Sequence, residues 1–275
     1  MSMPRSRVIL ICAAVALAAY GMSRVRGLSG AAPTPVQQSA VSYPQGDSWA
    51  SIALLPDFSG AWTQPAGENL GKLVFADCCL RGPSRSAFTP KYQTLHDEVV
   101  ARLERGESGH DNLVKCLPDG MPGVLMHGLA LQMLYSPGGV TMLVEDGEVR
   151  RIHTDGRAHP PLDELFTSPL GHSIGHWEGS TLVVDTVGIR TDAMLFFTGG
   201  VNVTKTTHIT ERIYLKDKDT LRIDTTIEDP AIYTKPYSYP LEFQRGLREA
   251  DFDIGCMQDN RDTESGVVDL TPPAE

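Results

Sequence analysis

The stretch Val140-Thr141-Met142-Leu143-Val144-Glu145-Asp146-Gly147-Glu148-Val149-Arg150-Arg151-Ile152-His153 decides the fold. Two runs of strand-forming residues flank Asp146-Gly147, the dipeptide that most strongly favours a tight turn between antiparallel strands. Side chains alternate along a strand, so a hairpin closed on those two residues puts Val140, Met142, Val144, Val149, Arg151 and His153 on one face. Two more hairpins follow. His172 to Trp177 and Thr181 to Ile189 are joined by Glu178-Gly179-Ser180, and Thr206 to Leu215 and Thr220 to Glu228 by Lys216-Asp217-Lys218-Asp219. The last of these sets His208, Thr210, Arg212, Tyr214, Leu221, Ile223 and Ile227 on one face. Upstream, Phe58-Ser59-Gly60-Ala61-Trp62 reads as a first barrel strand that opens on a glycine and buries its tryptophan. The fold expected is mainly β, an antiparallel meander closing into a lipocalin-like barrel.

One helix precedes the meander. Thr89 is its N-cap and Pro90 its first residue; Tyr92, Leu95, Val99 and Leu103 recur at helical steps until Gly106 stops it. His96 and Glu98 flank this stripe and are expected in solvent. No internal repeat is evident.

At the N-terminus, Arg5 and Arg7 precede an apolar run from Val8 to Met22. The run is shorter than the roughly 20 residues of a spanning helix and follows a basic segment, which fits an export signal first and a short anchor second. The protein is thus expected in the periplasm or secreted, or tethered to the inner membrane through residues 8–22. Residues 1–31 form the signal or anchor, 32–50 a linker rich in Pro, Gln, Ser and Gly, 51–264 the barrel-like domain and 265–275 a tail. A chain of 275 residues with net charge -10 suits one large domain and excludes a nucleic-acid surface. A small, largely apolar molecule, neutral or cationic, is the expected partner. Loss of the signal leaves Cys78, Cys79, Cys116 and Cys256 in a compartment that permits disulfides, with long-range bonds favoured over a strained bridge between neighbours.

In such a meander the three short turns share one end. The long connections, Thr154 to Gly171, Arg190 to Lys205 and Asp229 to Tyr237, share the other, where sites are commonly built. His153, His172 and His208 lie on the strand portions nearest these loops, Asp155 and His159 in the first loop, and His176 near a short turn. With a two-residue loop at Gly179-Ser180, Ile174 faces Asp185 and His172 becomes its diagonal neighbour on the same face. A histidine held by a carboxylate suits general acid–base work, because the carboxylate fixes the tautomer and supports the imidazolium. His172 is then the acid or base and Asp185 orients it. His153 or His208, with Arg151 or Arg212, stabilises developing negative charge. Asp155, His159, Tyr233 and Lys235 complete the candidate substrate contacts.

Three functions fit these residues. The first is an isomerase, lyase, cyclase or hydrolase working by acid–base chemistry, the second a non-catalytic carrier of a small hydrophobic molecule, and the third a metal-dependent site built from His153, His159, His172 and His208. No spacing demands a metal, since His172 and His176 lie about 13 Å apart on an extended strand. The sequence lacks a His-Glu-x-x-His helix, a phosphate loop and a dinucleotide fingerprint, so neither metal nor cofactor is assigned.

Several motifs together carry a likeness: Asp57-Phe58-Ser59-Gly60-Ala61-Trp62, Cys116-Leu117-Pro118-Asp119-Gly120-Met121-Pro122, His153-Thr154-Asp155-Gly156-Arg157, Gly171-His172-Ser173-Ile174-Gly175-His176-Trp177-Glu178-Gly179, Glu228-Asp229-Pro230 with Tyr233-Thr234-Lys235-Pro236, and Asn260-Arg261-Asp262. The chain from Asp57 to Asp262 resembles a large group of mostly uncharacterised exported bacterial proteins. The resemblance implies a shared β-barrel-like domain and brings no activity with it. Cys116 and Cys256 each lie at one of its motifs, on either side of the strands, and are expected to be bridged.

Overall fold

A computed structural model describes residues 44–64, 87–105, 117–126, 128–145, 147–193, 195 and 202–246, with the backbone of two short strands at 261–262 and 267–268. The leading apolar run, Cys78, Cys79, Cys116 and Cys256 lie outside the described residues, and with them the expected bridge.

Nine strands close into a barrel in chain order: β1 (Gly60–Thr63), β2 (Leu131–Ser136), β3 (Gly139–Val144), β4 (Val149–His153), β5 (His172–Glu178), β6 (Thr181–Val187), β7 (His208–Asp217), β8 (Thr220–Glu228) and β9 (Tyr237–Arg245). β1 closes the ring on β9 through Trp62 opposite Arg245. A separate ribbon joins β10 (Arg261–Asp262) to β11 (Val267–Val268). Among the described residues helices are few: α1 (Trp49–Ile52), α2 (Pro90–Glu104) and a short 3₁₀ turn at Gly123–Met126.

Local chemistry explains the first elements. Trp62 is wholly buried; its indole Nε1 donates to the Phe58 carbonyl at 2.7 Å, and the Arg245 guanidinium lies 4.1 Å above its ring. Thr89 caps α2 through its carbonyl, which accepts from the Gln93 amide at 2.9 Å. Its hydroxyl instead donates to the Ala231 carbonyl at 2.8 Å, fastening the helix to the connection after β8. His96 is not in solvent. It is 2 % exposed and lies against Phe88 with ring centroids 5.5 Å apart, because four residues after Tyr92 is a stripe position. The packed unit also reaches back to Gln45, whose side-chain amide donates to the Trp177 carbonyl at 3.1 Å and accepts from the Trp177 amide at 2.8 Å.

Registers decide which side chains fill the barrel. The second hairpin pairs Glu178 with Thr181 and Ile174 with Asp185, the two-residue loop expected, with Gly179 at φ 62. The first is one residue out: Leu143 faces Val149, Thr141 faces Arg151 and Gly139 faces His153. Val140, Met142 and Val144 therefore share the interior with Arg150 and Ile152, whereas Val149, Arg151 and His153 lie on the outer wall. The third hairpin carries a register shift between Leu215 and Asp217. His208, Thr210, Arg212 and Tyr214 thus share the outer face with Arg222, Asp224 and Glu228, while Leu221, Ile223 and Ile227 point inward. In both cases one odd residue at the turn inverts a whole face.

One neighbour pair breaks the antiparallel pattern. β4 and β5 run parallel and pair only at Ile152 with Ser173 and His153 with Ile174. The connection 154–171 is the crossover that parallel strands require. The connection between β3 and β4 accordingly lies at the opposite end of the barrel from the turns after β5 and β7.

Among the described residues the interior is mostly apolar, and it encloses one ion pair. Arg150 is 2 % exposed and Glu211 0 %. The guanidinium gives Nη1 to Glu211 Oε1 at 3.1 Å, Nη2 to Glu211 Oε2 and to Thr186 Oγ1 (2.9 Å), and Nε to Ser173 Oγ at 3.1 Å. Such a pair persists away from water only when its remaining polar atoms are matched, as they are here.

Candidate functional site

The same strands that send Arg150, Ser173, Thr186 and Glu211 inward send Arg151, His172, Asp185 and His208 outward. The histidine site therefore stands on the outer wall of the barrel, not in its lumen. Ile174 pairs with Asp185, and Asp185 with Thr210. His172 and His208, each two residues from those partners, thus flank the carboxylate from either side. Gly171 fixes where β5 begins: its φ is 70°, and a Cβ there would come within 2.8 Å of Ile189, Thr186 and the Val187 carbonyl.

His159 completes the cluster. The crossover lays it over the wall, and it enters between the two residues expected to pair directly. Its Nε2 lies 2.7 Å from Asp185 Oδ1, and its Nδ1 lies 2.7 Å from Nδ1 of His172. A carboxylate only accepts, so His159 Nε2 carries the proton. Of the two Nδ1 atoms facing each other at 2.7 Å one donates and the other accepts, and where His172 donates its lone pair lies on Nε2. His208 donates from Nε2 to Asp185 Oδ2 at 2.5 Å, and its Nδ1 lies 3.3 Å from Glu228 Oε2. His153 stacks on His172 with centroids 5.5 Å apart.

Electrostatics favours neutral imidazoles at two positions. Burial, then the neighbouring His159, His153 and Arg157, hold His172 below its ordinary value of 6.5. Burial, then Arg157, with a smaller contribution from Arg151, lower His153 against the opposing pull of Asp155.

Beside the cluster, between β4 and β5, lies a cavity of about 440 Å³ whose lining includes Arg150, Arg151, His153, Leu170, His172 and Ser173. A second of about 440 Å³ continues over β3 and β4, past Arg151, His153, Asp155 and Arg157. Arg157 holds Asp155 through three contacts of 2.5 to 3.0 Å and keeps its carboxyl down at about 2.

Not every candidate joins this centre. Arg212 lies four residues along β7 from His208, about 13 Å away on an extended strand. There it meets Glu178 Oε2 at 2.9 Å, beside the exposed His176, near the opposite end. Tyr233 and Lys235 line a different cavity of about 230 Å³ with Glu228 and Asp229. Glu228, Arg157 and the Arg150–Glu211 pair were not among the expected site residues. Only Glu228 carried a signal, as the residue opposite His208 once the bulge is counted. Among the described residues, no group of three or more His, Cys, Asp or Glu side chains is arranged to hold a metal ion. No protein-family model matches the chain, and no curated protein matches it.

Proposed function

We propose that the protein is an exported enzyme that performs general acid–base chemistry, of isomerase, lyase, cyclase or hydrolase type, on a small and largely apolar molecule seated between β4 and β5. The Asp185–His159–His172 chain is the observation that carries this reading. It fixes the tautomer of His172, and the depressed proton affinity of His172 keeps its Nε2 available as a base near neutrality. In the forward step His172 Nε2 takes a proton from the substrate. His159 holds the ring in place, and the Asp185 carboxylate supports the positive charge that forms. Arg151, beside His172, stabilises the negative charge left on the substrate. The proton then returns from His172 to a second substrate atom or to the leaving group. Export is supported by the basic residues Arg5 and Arg7 ahead of the apolar run.

The test begins with the molecule retained by natively produced protein, identified by mass spectrometry and followed for conversion. His172→Ala is expected to lower turnover by roughly 10²–10⁴-fold with the fold intact. Unchanged turnover would remove His172 from the chemistry. Retention without conversion by the wild type would make the protein a carrier.

A further inference from the structure

We infer that the slot between β4 and β5 recognises an anionic head group, a carboxylate or a similar monoanionic oxyacid, on an apolar body, with Arg151 as the residue that binds it. This rests on the slot being where the substrate of the proposed enzyme sits. Arg151 is exposed on the outer face of β4 and lines both cavities of about 440 Å³. Among the described residues it has no hydrogen-bond or ion-pair partner. The other cations nearby are matched: Arg157 by Asp155 and Arg150 by Glu211. Of the carboxylates lining the cavities, Asp155 is held by Arg157, and Glu148 accepts from the Gly120 amide at 3.3 Å and keeps its own charge.

With His153 and His172 both biased toward the neutral form, Arg151 is the cation of the slot that has no carboxylate bonded to it among the described residues. The parallel register sets it beside the base: Ile152 pairs with Ser173, so Arg151 stands alongside His172 on the adjacent strand, about 5 Å away between backbones. A guanidinium fork fits a carboxylate through two parallel hydrogen bonds. Val149, Pro169 and Leu170 supply the apolar part of the wall. The net charge of -10 made a neutral or cationic partner the expectation. Recognition responds to the groups a ligand meets instead, and here the unpaired guanidinium of Arg151 faces both cavities.

Isothermal titration of the full chain with 3-phenylpropanoate, 3-phenylpropanamide and a straight-chain series from acetate to decanoate tests the assignment. Carboxylates are expected to bind at least about tenfold more tightly than the amide, as a charge-assisted pair requires. Arg151→Gln abolishes that preference and leaves amide affinity unchanged, Arg151→Lys restores part of it, and circular dichroism shows the barrel retained. Equal affinity for acid and amide, binding of no carboxylate, or a preference that survives Arg151→Gln would overturn the assignment. His172→Asn separates the two proposals, since it keeps the carboxylate preference while losing turnover. Turnover that persists in His172→Asn overturns the acid–base role and leaves the anion site standing. A preference lost in His172→Asn overturns the assignment to Arg151.

Discussion

Residues of the same four strands build two polar centres that differ in kind. Inside the barrel, Arg150, Ser173, Thr186 and Glu211 form a closed set, each bonded to another member and shielded from water. On the outer wall, their neighbours Arg151, His172 and Asp185, with His208 and the crossover residue His159, form a half-exposed set with an unpartnered guanidinium and titratable rings. The inner set holds its charge state because every alternative would strand a charge in an apolar interior. The outer set can exchange protons because water and ligand reach it. One pleat thus divides structural charge from chemical charge.

The largest effect is expected where that division is broken from inside. Glu211→Leu leaves Arg150 charged and unpaired in the barrel, and should cost about 3–5 kcal/mol of stability in denaturant unfolding. Arg150→Met combined with Glu211→Leu should recover most of the loss, since a buried pair replaced as a unit is often neutral. A Glu211→Leu protein as stable as the wild type would mean that the inner set is not closed to water.

How far the two centres could be read from sequence follows from turn geometry. The Gly179-Ser180 loop has two residues, so simple alternation placed His172 diagonal to Asp185. The Asp146-Gly147 turn and the Leu215/Asp217 shift each add an odd residue, so Arg151 was grouped with interior valines and His208 with interior isoleucines. The Asp219 amide donates to the Asp217 side chain at 2.9 Å, a local turn that competes with the ladder and that alternation does not register. Closure into a barrel was legible from the run of hairpins. The parallel β4–β5 pair was not, and neither was the position of His159, because both depend on the path of a crossover whose sequence is loop-like throughout.

A smaller effect sharpens the outer half of the comparison. The folded-state values of His153 and His172 lie below 6.5, so the unfolded chain binds more protons in the window just beneath that pH. Their contribution to stability is full above about pH 6.5 and is lost as pH falls through their folded values. The acidic limb of kcat/KM should therefore lie below 6.5. Arg157 lowers both rings, so Arg157→Gln should move that limb, and the two imidazole titrations seen by NMR, upward toward 6.5. A limb that stays in place when Arg157 is removed would show that burial and the neighbouring histidines, not Arg157, set the proton affinity of the outer set.

The smallest effect concerns a group that fits neither centre. Tyr233 is 3 % exposed, its ring stacked between Phe88 and Tyr237 at 5.2 Å from each, yet its hydroxyl has no hydrogen-bond partner among the described residues. Burial, with the nearby Tyr237, Tyr239 and Asp229, pushes the phenol well above its ordinary value of 10, so the group stays protonated as an unused donor. Phenylalanine keeps the stack and removes the unpaired polar atom, whose desolvation costs about 1–3 kcal/mol. Tyr233→Phe should therefore leave thermal stability unchanged or raise it by up to about 1 kcal/mol. A clear loss of stability would instead mean that the hydroxyl is paired in the folded protein, and that the rule separating closed buried groups from open surface ones holds at Tyr233 as well.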